Sequence, residues 1–205
     1  MKENLILTPV EIAYFKNVKR FDSLLKEFKK RKRISKILNV GSGLCNLEIE
    51  LAKLGFKNFT CVEPNKRYIN VMKHFHNRKI PKIKLYKILI QKFHTKLKFD
   101  IIVLHDIFYI SKLKIKKVLS HVIPFLNNNG VIYFDIYNAK YFSVAKFFSP
   151  TKKQYHDSLE IKKFMENNGF FVSIKPINIS NSARMKVLGR VKIYPYLLFV
   201  CEKIY

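Results

Sequence analysis

The sequence predicts a single doubly wound α/β domain, and three observations carry that expectation. From Lys36 onward, short β-branched or apolar runs alternate with helical stretches, as a parallel sheet with crossover helices requires. Ile101–Leu104 is four apolar residues in a row, the pattern of a central strand covered on both faces. The segment Ile37–Val40 runs directly into Gly41-Ser42-Gly43 and then into a helical stretch. With 205 residues, 48% of them apolar, the chain can bury a real core, which excludes a disordered tail or a disulfide-stapled miniprotein.

The elements follow in order. Thr8-Pro9-Val10-Glu11 is a capping box with proline at the first helical position, so an N-terminal helix is expected to begin at Pro9. Tyr14, Phe15, Val18, Phe21, Leu24, Leu25 and Phe28 recur at spacings of three and four, with Lys16, Lys19, Arg20, Lys26 and Lys29 between them. Residues 1–33 are therefore expected to form a basic amphipathic helix packed on the core, and residues 34–205 the main domain. In that domain Ile37–Val40 is a strand, Asn46–Leu54 a helix stopped by Gly55, and Phe59–Val62 a second strand. Lys66–His76 reads as a helix, Ile83–Ile90 as the third strand and Ile101–Leu104 as the fourth. Ser111 caps a helix through Leu126, Asn127–Gly130 turns, and Val131–Phe134 is the fifth strand. Asp157-Ser158-Leu159-Glu160 opens a helix that Asn167-Asn168-Gly169 ends, and Phe170–Lys175 and Pro195–Glu202 complete seven strands in one sheet. The sequence has no internal repeat and no linker that would divide this domain.

No run reaches the ~18 consecutive apolar residues that span a bilayer, and the first residues lack the apolar stretch of a signal peptide, so a cytoplasmic location is expected. Cys45, Cys61 and Cys201 are odd in number and widely spaced, which fits a reducing compartment and offers neither a disulfide framework nor a zinc-ligand pattern; no metal is expected. The formal charge of +26 rests on 40 Lys+Arg against 14 Asp+Glu, and 33 of the basic residues are lysine. Between Glu63 and Asp100 there is no carboxylate at all. Such a surface suits a polyanion, yet arginine, the residue of specific phosphate recognition, is scarce, so compositional drift toward lysine explains it as well.

The densest chemical signal is Lys36–Asn46. Glycines at the carboxyl end of a first strand let the backbone turn tightly and approach a ligand, while the following helix supplies free N–H groups. Glu63 stands at the end of the next strand, 20 residues after Gly43, where a carboxylate can accept both hydroxyls of a ribose. The third glycine of a dinucleotide-binding pattern falls on Asn46, so a ligand without phosphates suits this loop better.

With these residues in place, the chain resembles the class I S-adenosylmethionine-dependent methyltransferases over nearly the whole of 34–203. Asn39-Val40-Gly41-Ser42-Gly43-Leu44-Cys45 is similar to their first motif and Glu63 to their ribose-binding acid. Phe99–Asp106 is similar to their fourth strand, and Leu126–Phe134 to their polar-turn, glycine and apolar-strand signature. The resemblance implies a Rossmann-like sheet of order 3-2-1-4-5-7-6 with the last strand antiparallel, and S-adenosyl-L-methionine as cofactor. It places Asn39, Gly41, Ser42, Gly43, Cys45, Glu63, Pro64, Gln91, His105 and Asp106 around that cofactor. Three positions depart from the pattern: Asn39 replaces the usual acid, Cys45 a glycine, and Gln91 is the only hydrogen-bonding group where an adenine-binding acid is expected. Tyr109 lies just after the fourth strand, and Arg184, Arg190 and Lys192 fall in a stretch that in this family closes the substrate pocket. His156, in Tyr155-His156-Asp157-Ser158, resembles a histidine that small-molecule members, those of quinone biosynthesis among them, hold over the active site.

The implied reaction is methyl transfer by in-line displacement. A hydroxyl acceptor would need a base, and His105 or His156 fits because imidazole exchanges a proton near neutral pH. A small-molecule acceptor is the leading expectation, with RNA methylation as the alternative on the strength of the charge, and a catalytically silent binding protein as a third.

Overall fold

The computed structural model describes residues 7–9, 12, 18–76, 83–108, 113–138, 155–177 and 196–204. The chain divides into two compact units, Met1–Lys96 and Leu97–Tyr205.

In the first unit, β1 (Lys36–Val40), β2 (Asn58–Val62) and β3 (Ile83–Tyr86) are mutually parallel. Lys36 and Asn58 are exposed at the amino ends, and the four residues that follow each are buried, as strands covered on both faces must be. In β3, Lys84 and Tyr86 are exposed while Ile83 and Leu85 are half-buried, the alternation of a sheet edge. This strand is shorter than the expected Ile83–Ile90. Beyond Tyr86 the chain folds into a 3-10 turn at Ile90–Lys92, which drives Ile90 and Phe93 into the core and sets the Phe93 ring edge-on to Tyr86.

Pro9 and Ile12 are helical, and Ile12 N–H reaches Thr8 O, where the sequence places the helix start. Val18–Phe21 is a 3-10 turn leading into α1 (Asp22–Phe28). Burial of Leu24 and Phe28 fixes α1: Phe28 meets the Phe56 ring edge-on at 5.4 Å, and the Arg33 guanidinium covers Phe56 at 4.8 Å while donating to Phe28 O. The helices α2 (Asn46–Lys53) and α3 (Lys66–His76) lie where their periodicity predicts.

The second unit holds β4 (Phe99–Leu104), α4 (Ile115–Val122), β5 (Leu126–Asn138), α5 (Ser158–Asn167), β6 (Phe170–Pro176) and β7 (Tyr196–Lys203). β4 and β5 are parallel, and β7 runs antiparallel between β5 and β6. The principal strands take the order β3-β2-β1-β4-β5-β7-β6, which is the Rossmann-like order the resemblance implies, last strand antiparallel included. An eighth, two-residue strand, Tyr155–His156, pairs parallel with Tyr137 and Asn138 of β5.

Two local differences have physical causes. The α4 helix begins at Ile115, with Ser111 outside the described residues, and it tightens after Val122 into a 3-10 turn at Ile123–Phe125, where Pro124 has no N–H to continue the ladder. β5 is longer than Val131–Phe134. It pairs Leu126 with Phe99 and then Val131 with Ile101, so Asn127–Gly130 form an irregularity inside the strand, anchored by Asn127 Nδ2 donating to Asp100 Oδ1. Glycine suits the position, because a Cβ would lie 2.6 Å from Leu126 Cγ and force that side chain to shift. The strand β7 begins at Tyr196, with Pro195 outside the described residues. Across β5 and β7, Phe134 stacks on its register partner Phe199 at 4.7 Å, the kind of aromatic pair that contributes ~0.5–1.5 kcal/mol beyond burial. Asp157 caps α5 through Leu159 N–H and Glu160 N–H, and Gly169 ends it at φ +81°.

Candidate functional site

The first unit carries the glycine turn. Gly41, Gly43 and Cys45 all adopt left-handed φ, at 69°, 55° and 56°, so the chain reverses sharply between β1 and α2. Glycine takes this conformation freely; Cys45 carries a local strain of ~1–2 kcal/mol. Gly41 N–H and Ser42 N–H both bond Val62 O, which ties the turn to the end of β2. The Cys45 side chain makes no capping hydrogen bond at the amino end of α2.

Glu63 follows β2 and is buried, with 6% of its surface exposed. Its Oε2 accepts from Gly43 N–H at 2.8 Å and its Oε1 from Asn65 N–H at 2.8 Å. A carboxylate has about four acceptor positions, so one lone pair on each oxygen remains for a vicinal diol. Burial pushes the Glu63 carboxyl above the usual glutamate range, and the two backbone N–H groups oppose that shift. Pro64 and Gln91 are both exposed, Gln91 in the 3-10 turn after β3, while Asn65 Oδ1 accepts from Arg67 N–H at the start of α3.

Asn39 is tied to α2: its Nδ2 donates to Glu48 Oε1 at 2.6 Å. The Cys61 thiol donates to the same oxygen at 3.1 Å, and Cys45 Sγ lies 3.7 Å from Ser42 Oγ. Glu48, on α2, is 1% exposed, and burial holds its carboxyl above the normal range while the bonds from Asn39 and Cys61 work against it. Burial, the Cys45 thiol and the Glu48 charge together hold the Cys61 thiol well above 9. The local signal for Glu48 is its position four residues after Leu44 and three before Leu51, which places it on the buried stripe of its helix.

The second unit carries the titratable side chains that follow β4. His105 Nδ1 donates to Asp135 Oδ2 at 2.9 Å, and Asp106 N–H donates to Asp135 Oδ1 at 2.9 Å. Asp135, on β5, is 1% exposed and orients both residues. With Nδ1 committed as the donor, neutral His105 keeps its lone pair on Nε2, which lies 3.7 Å from Asp106 Oδ1. Asp106 holds φ 62°, outside the range most side chains adopt, and this kink redirects the chain immediately after β4. His156 is half-buried; its Nε2 meets Phe108 O at 3.2 Å and its ring is edge-on to Phe108. His105, Asp106 and His156 therefore share one stretch of the second unit. The local signal for Asp135 is an acid inside the otherwise apolar run Val131–Tyr137. Tyr109, Arg184, Arg190 and Lys192 lie outside the described residues.

Among the described residues, two groups bring potential metal-ligand atoms within 4.8 Å of one another: Cys45, Glu48 and Cys61, and His105, Asp106 and Asp135. No described helix is long and apolar enough to cross a membrane. In the basic stretch, Lys66, Arg67, Lys84, Lys87, Lys92, Lys96 and Lys98 are exposed, and residues 77–82 lie outside the described set.

No protein-family model matches the chain, and no curated protein matches it by sequence. Solved structures do match in fold. A putative S-adenosylmethionine-dependent methyltransferase from Listeria monocytogenes superposes with a TM-score of 0.72 at 13% identity, over 93% of this chain and 100% of that one. Magnesium protoporphyrin IX methyltransferase from Synechocystis PCC 6803, with bound SAH, gives 0.65 at 11% identity over 98% and 89%. The plantazolicin methyltransferase in complex with a triazolic desmethyl analogue and SAH gives 0.63 at 18% identity over 91% and 83%. The chain therefore has the fold of the class I S-adenosylmethionine-dependent methyltransferases.

Proposed function

We propose that this protein is an S-adenosylmethionine-dependent methyltransferase that acts on a small-molecule acceptor. The observation that carries the reading is the Glu63 carboxylate, buried, oriented by Gly43 and Asn65 N–H, and left with one lone pair per oxygen beside the left-handed turn. Those acceptor positions fit a ribose diol, and no phosphate-binding third glycine is present to favour a dinucleotide. Several of the structural neighbours hold S-adenosylmethionine or SAH, which supports the same cofactor here.

When bound, the cofactor supplies a methyl carbon activated by a sulfonium leaving group. Glu63 would hold its ribose, the Gly41–Cys45 turn would pass close along it, and Asn39, Ser42, Pro64, Gln91 and Asp106 are the further candidates to line it. Much of the acceleration then comes from alignment, which can contribute ~7–11 kcal/mol. His105 Nε2 would take the proton of a hydroxyl acceptor, and Asp135, bonded to Nδ1, would hold the imidazole in the required tautomer and stabilise its cation. His156 is the alternative base. An amine acceptor would need neither.

The deciding experiment follows label from methyl-labelled cofactor into cell extract with wild type and with His105→Ala. Label in the organic-soluble fraction, lost in the variant, is expected. Label in RNA would replace this reading with an RNA methyltransferase, and label in neither fraction, with cofactor binding intact, would indicate a binding protein.

A further inference from the structure

We propose that Cys45, Glu48 and Cys61 form a binding site for a thiophilic divalent cation of the zinc type. The three come from the glycine turn, α2 and β2 of one unit, and none is more than 1% exposed. Their ligand atoms lie within 4.8 Å of one another, and Cys61 Sγ is already 3.1 Å from Glu48 Oε1. Tetrahedral zinc with two sulfurs and a carboxylate oxygen requires ligand separations of about 3.6–3.8 Å, within reach of small side-chain rotations.

The independent sign of a ligand is Glu48 Oε2, a buried carboxylate oxygen with no hydrogen-bond partner. Asn39 and Cys61 satisfy Oε1, and a buried carboxylate oxygen left unmatched calls for something to satisfy it. A divalent cation would do so, and it would offset most of the charge of two thiolates and one carboxylate, whose protons pass to solvent on binding. Two sulfur ligands favour zinc-like ions over magnesium or calcium. Asn39 completes the arrangement from outside: its 2.6 Å bond to Glu48 Oε1 fixes the carboxylate, the usual service of an outer-shell partner. Ser42 Oγ, 3.7 Å from Cys45 Sγ, or a water would take the fourth position. Bound metal would pin the left-handed Cys45 to β2 and so fix the turn between β1 and α2. This inference does not depend on the methyl-transfer reading.

The test is Co²⁺ titration of the full chain, stripped with chelator, kept reduced by a phosphine and equilibrated long enough to load a buried site. We expect one Co²⁺ per chain, a near-ultraviolet thiolate-to-cobalt band, intense visible bands of tetrahedral cobalt, and displacement of all of them by Zn²⁺. Cys61→Ser should lose most of the thiolate band, whereas Cys201→Ser, which removes a buried thiol of the second unit, should keep it in full. Glu48→Gln can still accept from Asn39 and should weaken binding at least roughly 100-fold, the upper end of what loss of an outer-shell partner costs. If Cys61→Ser does not fold, the Glu48→Gln affinity decides. Absence of a thiolate band in wild type, its survival in folded Cys61→Ser, or unchanged affinity in Glu48→Gln would each overturn the site.

Discussion

Replacing Glu63 by alanine should remove nearly all stabilisation by S-adenosylmethionine or SAH. One lone pair on each carboxylate oxygen remains after Gly43 and Asn65 N–H are satisfied, so two ribose hydroxyls can each donate once. Hydrogen bonds to a charged group contribute ~1.5–3 kcal/mol apiece, and taking the lower figure twice gives ~3 kcal/mol, or roughly 150-fold in Kd. At ligand equal to 100 times the wild-type Kd, wild type gains ~2.7 kcal/mol by mass action and the variant only ~0.3 kcal/mol. For a chain of this size, where 1 kcal/mol moves Tm by ~2–4 °C, those gains correspond to about 5–11 °C and about 1 °C. The ligand-free variant will itself melt lower, because the Gly43 N–H loses its buried acceptor, so the quantity to compare is the ligand-induced rise in each protein. Differential scanning fluorimetry with and without SAH measures it, with circular dichroism to show that the variant is folded. A folded variant retaining more than half of the wild-type rise would refute the placement of the ribose on Glu63.

Three further outcomes follow from the structure. His105→Ala should lower turnover of a hydroxyl acceptor by ~10²–10⁴ while leaving SAH binding within a few-fold, and Asp135→Asn should both lower turnover and shift the pH–rate profile; full activity in either variant argues against the His105–Asp135 pair as the base. Gly130→Ala drives a Cβ to 2.6 Å from Leu126 Cγ and should destabilise the fold by ~1–3 kcal/mol in urea unfolding, with no change expected in cofactor Kd. Glu48→Gln in metal-free protein should alter the pH dependence of stability: the folded-state pKa of Glu48 is raised, so its contribution is fully present below the unfolded value of 4.5 and is lost as pH rises through the folded pKa. Relative to wild type, the variant should therefore gain stability as pH rises from acid toward neutrality, and a parallel pair of stability curves would contradict the assignment.

The sequence by itself determined the elements whose pattern is local. Short β-branched or apolar runs marked β1, β2 and β4, the Asp157 cap and Gly169 bounded α5, and the glycine turn with a carboxylate one strand later marked the candidate cofactor end. These were legible because backbone sterics, capping and periodicity act between residues close in the chain. The tertiary structure alone decided where polar side chains find partners. Glu48 falls on the buried stripe of α2, but only the fold brings Asn39 and Cys61 onto it and makes two widely spaced cysteines neighbours of the same carboxylate. Asp135 lies 30 residues from His105 in the chain, and the register of β4 on β5 makes them a pair. The irregularity at Asn127–Gly130 belongs to the same group, since it exists to bring Leu126 and Val131 opposite Phe99 and Ile101. A buried polar group is tolerable only with a partner, and which partner arrives is fixed by packing between strands rather than by the sequence around either residue.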